Sequence, residues 1–182
     1  MGCDIHAYVE FGKQSRPDAE IYWQNFTRNS GSRNYVLFGV LAGLRVSEAQ
    51  LFEPKGMPEG PLGFRTSEDY WTNVAPEAHP EWADGDDWTD LESATRWVES
   101  GCSVGERDEN GRLKRVSGPD WHSHSWLTAD ELERALDHYR SVVPKYSPDS
   151  TDAPAEWVAT LAAMRAFEAA GQQTRVVFWF DN

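Results

Sequence analysis

Along residues 3–11, the apolar Ile5, Ala7, Val9 and Phe11 alternate with Asp4, His6, Tyr8 and Glu10. A period of two puts these sets on opposite faces of an extended chain, which predicts a half-buried strand. A polar turn region containing Pro17 follows, and residues 21–26 (IYWQNF) are the expected hairpin partner. Residues 35–44 (YVLFGVLAGL) are apolar nearly all round and read as a buried helix capped by Asn34. From about 45 to 88 no period is sustained, and Pro54, Pro58, Pro61, Pro76 and Pro80 punctuate the chain, so a long loop region is expected.

Thr89 and Glu92 have the spacing of a capping box for a helix over about 90–99, stopped near Gly101. Asn110-Gly111 marks a hairpin turn between strands near 102–108 and 112–117. A second capping box, Thr128 with Glu131, opens a helix to about Val143 ahead of Pro144, and a third helix runs from Pro154 to about Ala170, with Gly171 as its stop. Residues 175–182 (RVVFWFDN) are strongly β-prone. An edge strand this apolar would invite aggregation, so it is placed beside residues 3–11 at the sheet centre. The expectation is a single α+β domain over residues 1–182. Its antiparallel or mixed sheet has the N- and C-terminal strands near the centre and about three to four covering helices.

Charge narrows the partners. Against 17 basic residues stand 30 acidic ones, a net of −13, which repels phosphate backbones and makes nucleic acid an unfavoured partner. The one dense basic cluster, Arg112, Lys114 and Arg115, reads as a solvated strand. No apolar run is long enough to span a membrane, and the N-terminus lacks a signal-peptide pattern. Cys3 and Cys102 show no CxxC spacing and fit free thiols in a reducing compartment, so a cytoplasmic location is expected. Cys3 has the opposite strand parity to His6, which assigns its thiol to the core rather than to nucleophilic chemistry.

The candidate chemistry gathers in Asp120-Trp121-His122-Ser123-His124-Ser125-Trp126. On a regular strand, Asp120, His122 and His124 share one face, and one carboxylate with two imidazoles is most of a first-row metal site. Asp4-Ile5-His6 is a shorter version of the same pattern. The expected metal ligands are therefore Asp4, His6, His122 and His124 around a divalent ion, Zn or Mn, which would supply hydroxide for hydrolysis. Asp120 or Asp181 would act as base or orienter, and Arg33, beside a helix N-terminus, would anchor substrate. The plainer alternative is that these histidines hydrogen-bond nearby loops and that Asp120 only follows the Gly118-Pro119 turn. Asp84, Asp86, Asp87 and Asp90 lack the full calcium-loop pattern and read as a solvated turn. Tyr70, Trp71, Trp82 and Trp88 either stack a sugar or base or anchor their loop.

Four blocks, MGCDIH (1–6), Arg33-Asn34-Tyr35 with Leu37-Phe38, HSHSWLT (122–128) and VFWFDN (177–182), together resemble a family of small uncharacterised proteins of bacteria and their phages. The resemblance implies a bacterial or phage intracellular setting and no particular activity. Residues 57–63 (MPEGPLG) depart from the arginine-glycine-leucine-proline run of similar proteins. The Asp120-x-His122-x-His124 string also resembles the opening motif of metal-dependent phosphoesterases of the polymerase-and-histidinol-phosphatase class. In this chain it comes late, and 182 residues are too few for that class's barrel, so only the chemistry would carry over.

These features lead first to a metal-dependent hydrolase acting on a phosphoester or nucleotide-like small molecule. The alternative is a non-catalytic binding protein that sequesters a small ligand or docks on a host protein, motivated by the acidic surface, the many Trp residues and the Pro-rich loop. A metal-free acid–base enzyme using the same histidines is a third reading.

Overall fold

The computed structural model describes residues 2–14, 16, 19–29, 31–64, 71–77, 88–99, 103–117 and 122–181. Among them the elements run β1 (Asp4–Lys13), β2 (Tyr22–Asn29), α1 (Tyr35–Ala42), β3 (Trp71–Val74), β4 (Trp88–Thr89), α2 (Leu91–Glu99), β5 (Gly105–Arg107), β6 (Leu113–Ser117), β7 (His122–Leu127), α3 (Ala129–Val142), α4 (Ala155–Ala169) and β8 (Gln173–Asp181). The fold is α+β. Contacts divide the chain into two compact units, Met1–Phe64 with Ser123–Phe180, and Arg65–His122 with Asp181–Asn182.

The sheet of the first unit has the order β2-β1-β8-β7, so the terminal strands form its inner pair, as their patterns predicted. β1 and β2 are antiparallel, and the register passes from Val9–Thr27 to Glu10–Asn25, which leaves Phe26 as the extra residue of a bulge on β2. Ile5, Ala7 and Val9 of β1 and Val176, Phe178 and Phe180 of β8 face α1, α3 and α4 in one core, which also holds Phe38, Leu132, Leu136, Trp157 and Met164. Cys3 sits in this core, 1% exposed, in the packing role its parity predicted.

Local sequence accounts for each covering helix. Asn34 Oδ1 accepts from the Leu37 N–H at 3.0 Å and caps α1, while Gly43 closes it in the left-handed region (φ 69°). Gly39 allows close packing: a Cβ there would stand 2.3 Å from the Val46 carbonyl oxygen. The predicted Thr128–Glu131 capping box is formed at α3. Pro154 sits at the start of α4, and Gly171 follows its end with φ 77°.

The second unit carries a sheet of order β4-β3-β6-β5, in which β3 pairs parallel with β4 and antiparallel with β6. The predicted hairpin joins β5 to β6. Asp108 Oδ1 accepts from the N–H groups of Asn110 at 2.8 Å and Arg112 at 2.9 Å, and Gly111 takes φ 77°. α2 buries Ala94 against Leu113 and Val116. Its cap differs from the expected one: Asp90, not Thr89, accepts from the Ser93 N–H at 2.7 Å, because Thr89 is already in β4. That backbone hydrogen bond holds the Asp90 carboxyl below the usual carboxylate range. The 45–88 stretch contains a 3-10 turn at Ser47–Ala49, β3 and the first residue of β4, elements too short to leave a period in the sequence. Tyr70, Trp82, Asp84, Asp86, Asp87 and Cys102 lie outside the described residues. No helix among the described residues is long and apolar enough to cross a membrane.

Candidate functional site

Strand periodicity gives the first unit's sheet a second face, made by Asp4, His6, Tyr8 and Glu10 of β1 and by Arg175, Val177 and Trp179 of β8. Trp179, 1% exposed, is its centre. The His6 ring lies nearly parallel to the indole with centroids 5.5 Å apart, Tyr8 does so at 5.5 Å, and His124 of β7 stacks at 5.9 Å. His6 and His124, read from separate segments, are thus brought onto one aromatic ring. Phe64 lies flat on Tyr8 at 4.1 Å.

Charged groups on this face are held in pairs. Arg33 grips Asp4 in a two-point contact, Nε to Oδ1 at 2.5 Å and Nη2 to Oδ2 at 2.7 Å, with both side chains about half exposed (54% and 49%). The hydrogen bond from Arg33 holds the Asp4 carboxyl below the usual range, against a smaller opposing effect of burial. Arg28 Nη2 lies 3.1 Å from His6 Nδ1, and because a guanidinium only donates, Nδ1 is the acceptor in this contact. Deeper in the face, Arg175 Nε donates to Glu10 Oε2 at 2.5 Å, with both side chains almost wholly buried (6% and 0%).

Residues 55–64, the first part of the Pro-rich stretch, are tied to this sheet. The Lys55 N–H donates to Ser125 Oγ at 3.1 Å and the Gly56 N–H to the His124 carbonyl at 2.8 Å, which ties this segment to the outer edge of β7. The Gly63 N–H donates to Glu10 Oε1, and Arg175 Nη2 donates to the Pro61 carbonyl at 3.1 Å while its guanidinium lies 4.0 Å from the Trp23 ring. Gly63 is a glycine for a reason: a Cβ would come within 2.7 Å of the Gln24 backbone.

Arg33, expected to anchor substrate, is engaged by Asp4. His122 is counted with the second unit, and Ser123, between the two histidines, has φ 53°. That left-handed residue is not extended backbone, so the alternation that assigned His122 and His124 to one face does not carry across it. Asp120 lies outside the described residues, and Asp181, half-buried, ends β8. Among the described residues no group of three or more His, Cys, Asp or Glu side chains is arranged to hold a metal ion. A divalent ion at Asp4 or His6 would compete with Arg33 or Arg28 for the same lone pairs. His138 contacts the Ala49 carbonyl oxygen through Nε2 at 3.1 Å, a structural role.

Trp179, Arg28 and the Glu10–Arg175 pair did not emerge from the sequence as site residues. Their signal was present: a charged residue opening an otherwise apolar run, and Trp179 four positions on, with the same parity. No family model, curated protein or solved structure matches the chain.

Proposed function

We propose that the Trp179 face is the centre of a hydrolase acting on a phosphoester or nucleotide-like small molecule, with His6 and His124 as its working side chains. The observation that supports this most is the convergence of the two imidazoles, from β1 and β7, on one indole. Imidazole is the side chain suited to moving protons near neutral pH. His124 takes a proton from the attacking water as the new P–O bond forms, and His6, protonated once Arg28 releases its Nδ1, delivers a proton to the leaving oxygen as the old P–O bond breaks. Arg28, once released from His6 Nδ1, lends its positive charge to the phosphoryl oxygens. A divalent ion, Zn or Mn, would supply a metal-activated hydroxide instead. Such an ion requires Asp4 and His6 to exchange their guanidinium partners for it.

The test is hydrolysis of bis-p-nitrophenyl phosphate and of cyclic nucleotides by the wild type, His6→Ala and His124→Ala, with elemental analysis of each as-purified protein. Turnover falling about 100-fold or more in each variant, at an unchanged melting temperature, supports the reading. About one metal ion per chain, lost in the variants, assigns the chemistry to the metal, whereas chelator-resistant turnover assigns it to the imidazoles alone. A well-folded wild type that turns over no phosphoester sinks the proposal. The second reading, a non-catalytic receptor for a small ligand, then takes its place. The mutual pairing of Asp4 with Arg33 and of Glu10 with Arg175 favours it, because paired charges fix a binding surface in advance.

A further inference from the structure

The second unit has an open cavity of its own, about 770 Å³, between β3, the start of α2 and the β5–β6 hairpin. Val74, Leu113 and Trp88 give it an apolar wall, and Arg107, Arg112 and Lys114 stand around it with the carboxylates of Glu77 and Asp108. Among the described residues, its lining carries three cations against two carboxylates, in a chain with 30 acidic and 17 basic residues. The hairpin occupies some of these groups. Asp108 Oδ1 is taken up by the N–H groups of Asn110 and Arg112, and Arg107 Nη1 donates to the Gly111 carbonyl at 2.9 Å. Arg115, the third member of the basic cluster, turns to Glu106 and to the Trp71 ring, 4.6 Å away. Among the described residues, Arg112 and Lys114 enter no ion pair. Among the described residues, two exposed cations without carboxylate partners therefore border a concavity with one apolar wall.

We propose that this cavity is a second binding site, for a small molecule with a planar aromatic body and one anionic group. The aromatic body goes against Trp88 and Leu113, and the anion goes between Arg112 and Lys114. The volume suits one molecule of mononucleotide size. A nucleic-acid strand would need a longer run of cations than this chain offers. The site is independent of the hydrolase reading, whose residues belong to the first unit.

The experiment is calorimetric titration of the full chain with adenosine 5′-monophosphate, with adenosine and inorganic phosphate as separate titrants. The nucleotide is expected to bind more tightly than either fragment. Arg112→Gln with Lys114→Gln should weaken it about tenfold or more. Thr95→Trp, which narrows the cavity, should weaken this binding as well, whereas His6→Ala with His124→Ala should remove only what the Trp179 face binds. Absence of nucleotide binding at millimolar concentration overturns the proposal. So does equal affinity in the Arg112/Lys114 variant, or loss of binding only in the His6/His124 variant, which would assign the nucleotide to the Trp179 face. Should Thr95→Trp fail to fold by near-ultraviolet circular dichroism, the Arg112/Lys114 variant decides alone, since both of its positions are exposed.

Discussion

The two faces of the first unit's sheet are made by the same strands and buried by different means. On one side, Ile5, Ala7, Val9, Val176, Phe178 and Phe180 meet three helices in an apolar core. On the other, Asp4, His6, Tyr8, Glu10, Arg175 and Trp179 meet one another and the 55–64 segment. The first face gains stability from area removed from water, whatever the detailed geometry. The second depends on partners: a buried Glu or Arg is tolerated only while its counterpart is in place. The contrast between the two faces can be tested from the helix side first.

The largest effect is expected at Phe178→Ala, which opens a cavity in the helix-covered core at a residue 0% exposed. Destabilisation of about 3–5 kcal/mol follows from lost transfer energy and the void. Urea unfolding measures it. If the proposed chemistry belongs to the opposite face, turnover per folded molecule stays near the wild-type level.

Next comes Glu10→Gln. It leaves Arg175 charged and buried without its counter-ion, at a cost of about 3 kcal/mol or more. The double variant Glu10→Gln with Arg175→Met removes both charges and should recover much of that loss. A double variant as unstable as the single one would mean that the pair acts through packing rather than charge, and the two faces would then be alike in kind. Gly63→Ala tests the 55–64 segment directly. Its Cβ would meet the Gln24 backbone at 2.7 Å, and displacing the segment should cost about 1–3 kcal/mol and raise the protease sensitivity of residues 55–64.

How much of this was legible in the chain follows from the same contrast. Strand parity alone separated Ile5, Ala7 and Val9 from Asp4, His6 and Tyr8, and the apolar run at 175–180 was enough to put β8 inside the sheet. Capping chemistry is local, so Asn34 and the Thr128–Glu131 box were readable. The one-residue error at α2 arose because Asp90 and Thr89 are both good caps, and a two-residue parallel strand claimed Thr89. The partners of the polar face were not readable. Arg175 with Glu10, and Arg28 with His6, are matches across strands, fixed by register and not by spacing along the chain. The His122-x-His124 reading assumed an extended Ser123, whereas its left-handed backbone depends on its surroundings rather than on its own side chain.

The smallest expected effect separates the two ion pairs of the polar face. Asp4 and Arg33 are about half exposed, unlike Glu10 and Arg175, so solvent screens their attraction and the pair contributes less than about 1 kcal/mol. Its signature is the pH dependence. Arg33 depresses the Asp4 carboxyl in the folded protein relative to the unfolded chain. The folded state therefore binds the proton less readily, and the stabilisation is fully present above the unfolded value of about 4. It is lost as pH falls through the lower folded value. Urea midpoints at neutral pH and on the acid side of that window should show the wild type losing more stability than Asp4→Asn, by a few tenths of a kcal/mol. Arg33→Ala should remove the same acid-sensitive component without touching the Glu10–Arg175 pair. Identical acid limbs in all three proteins would mean that the two-point contact between Arg33 and Asp4 is not held in solution. Asp4 would then be open to a metal ion, which returns the question to elemental analysis of the His6 and His124 variants.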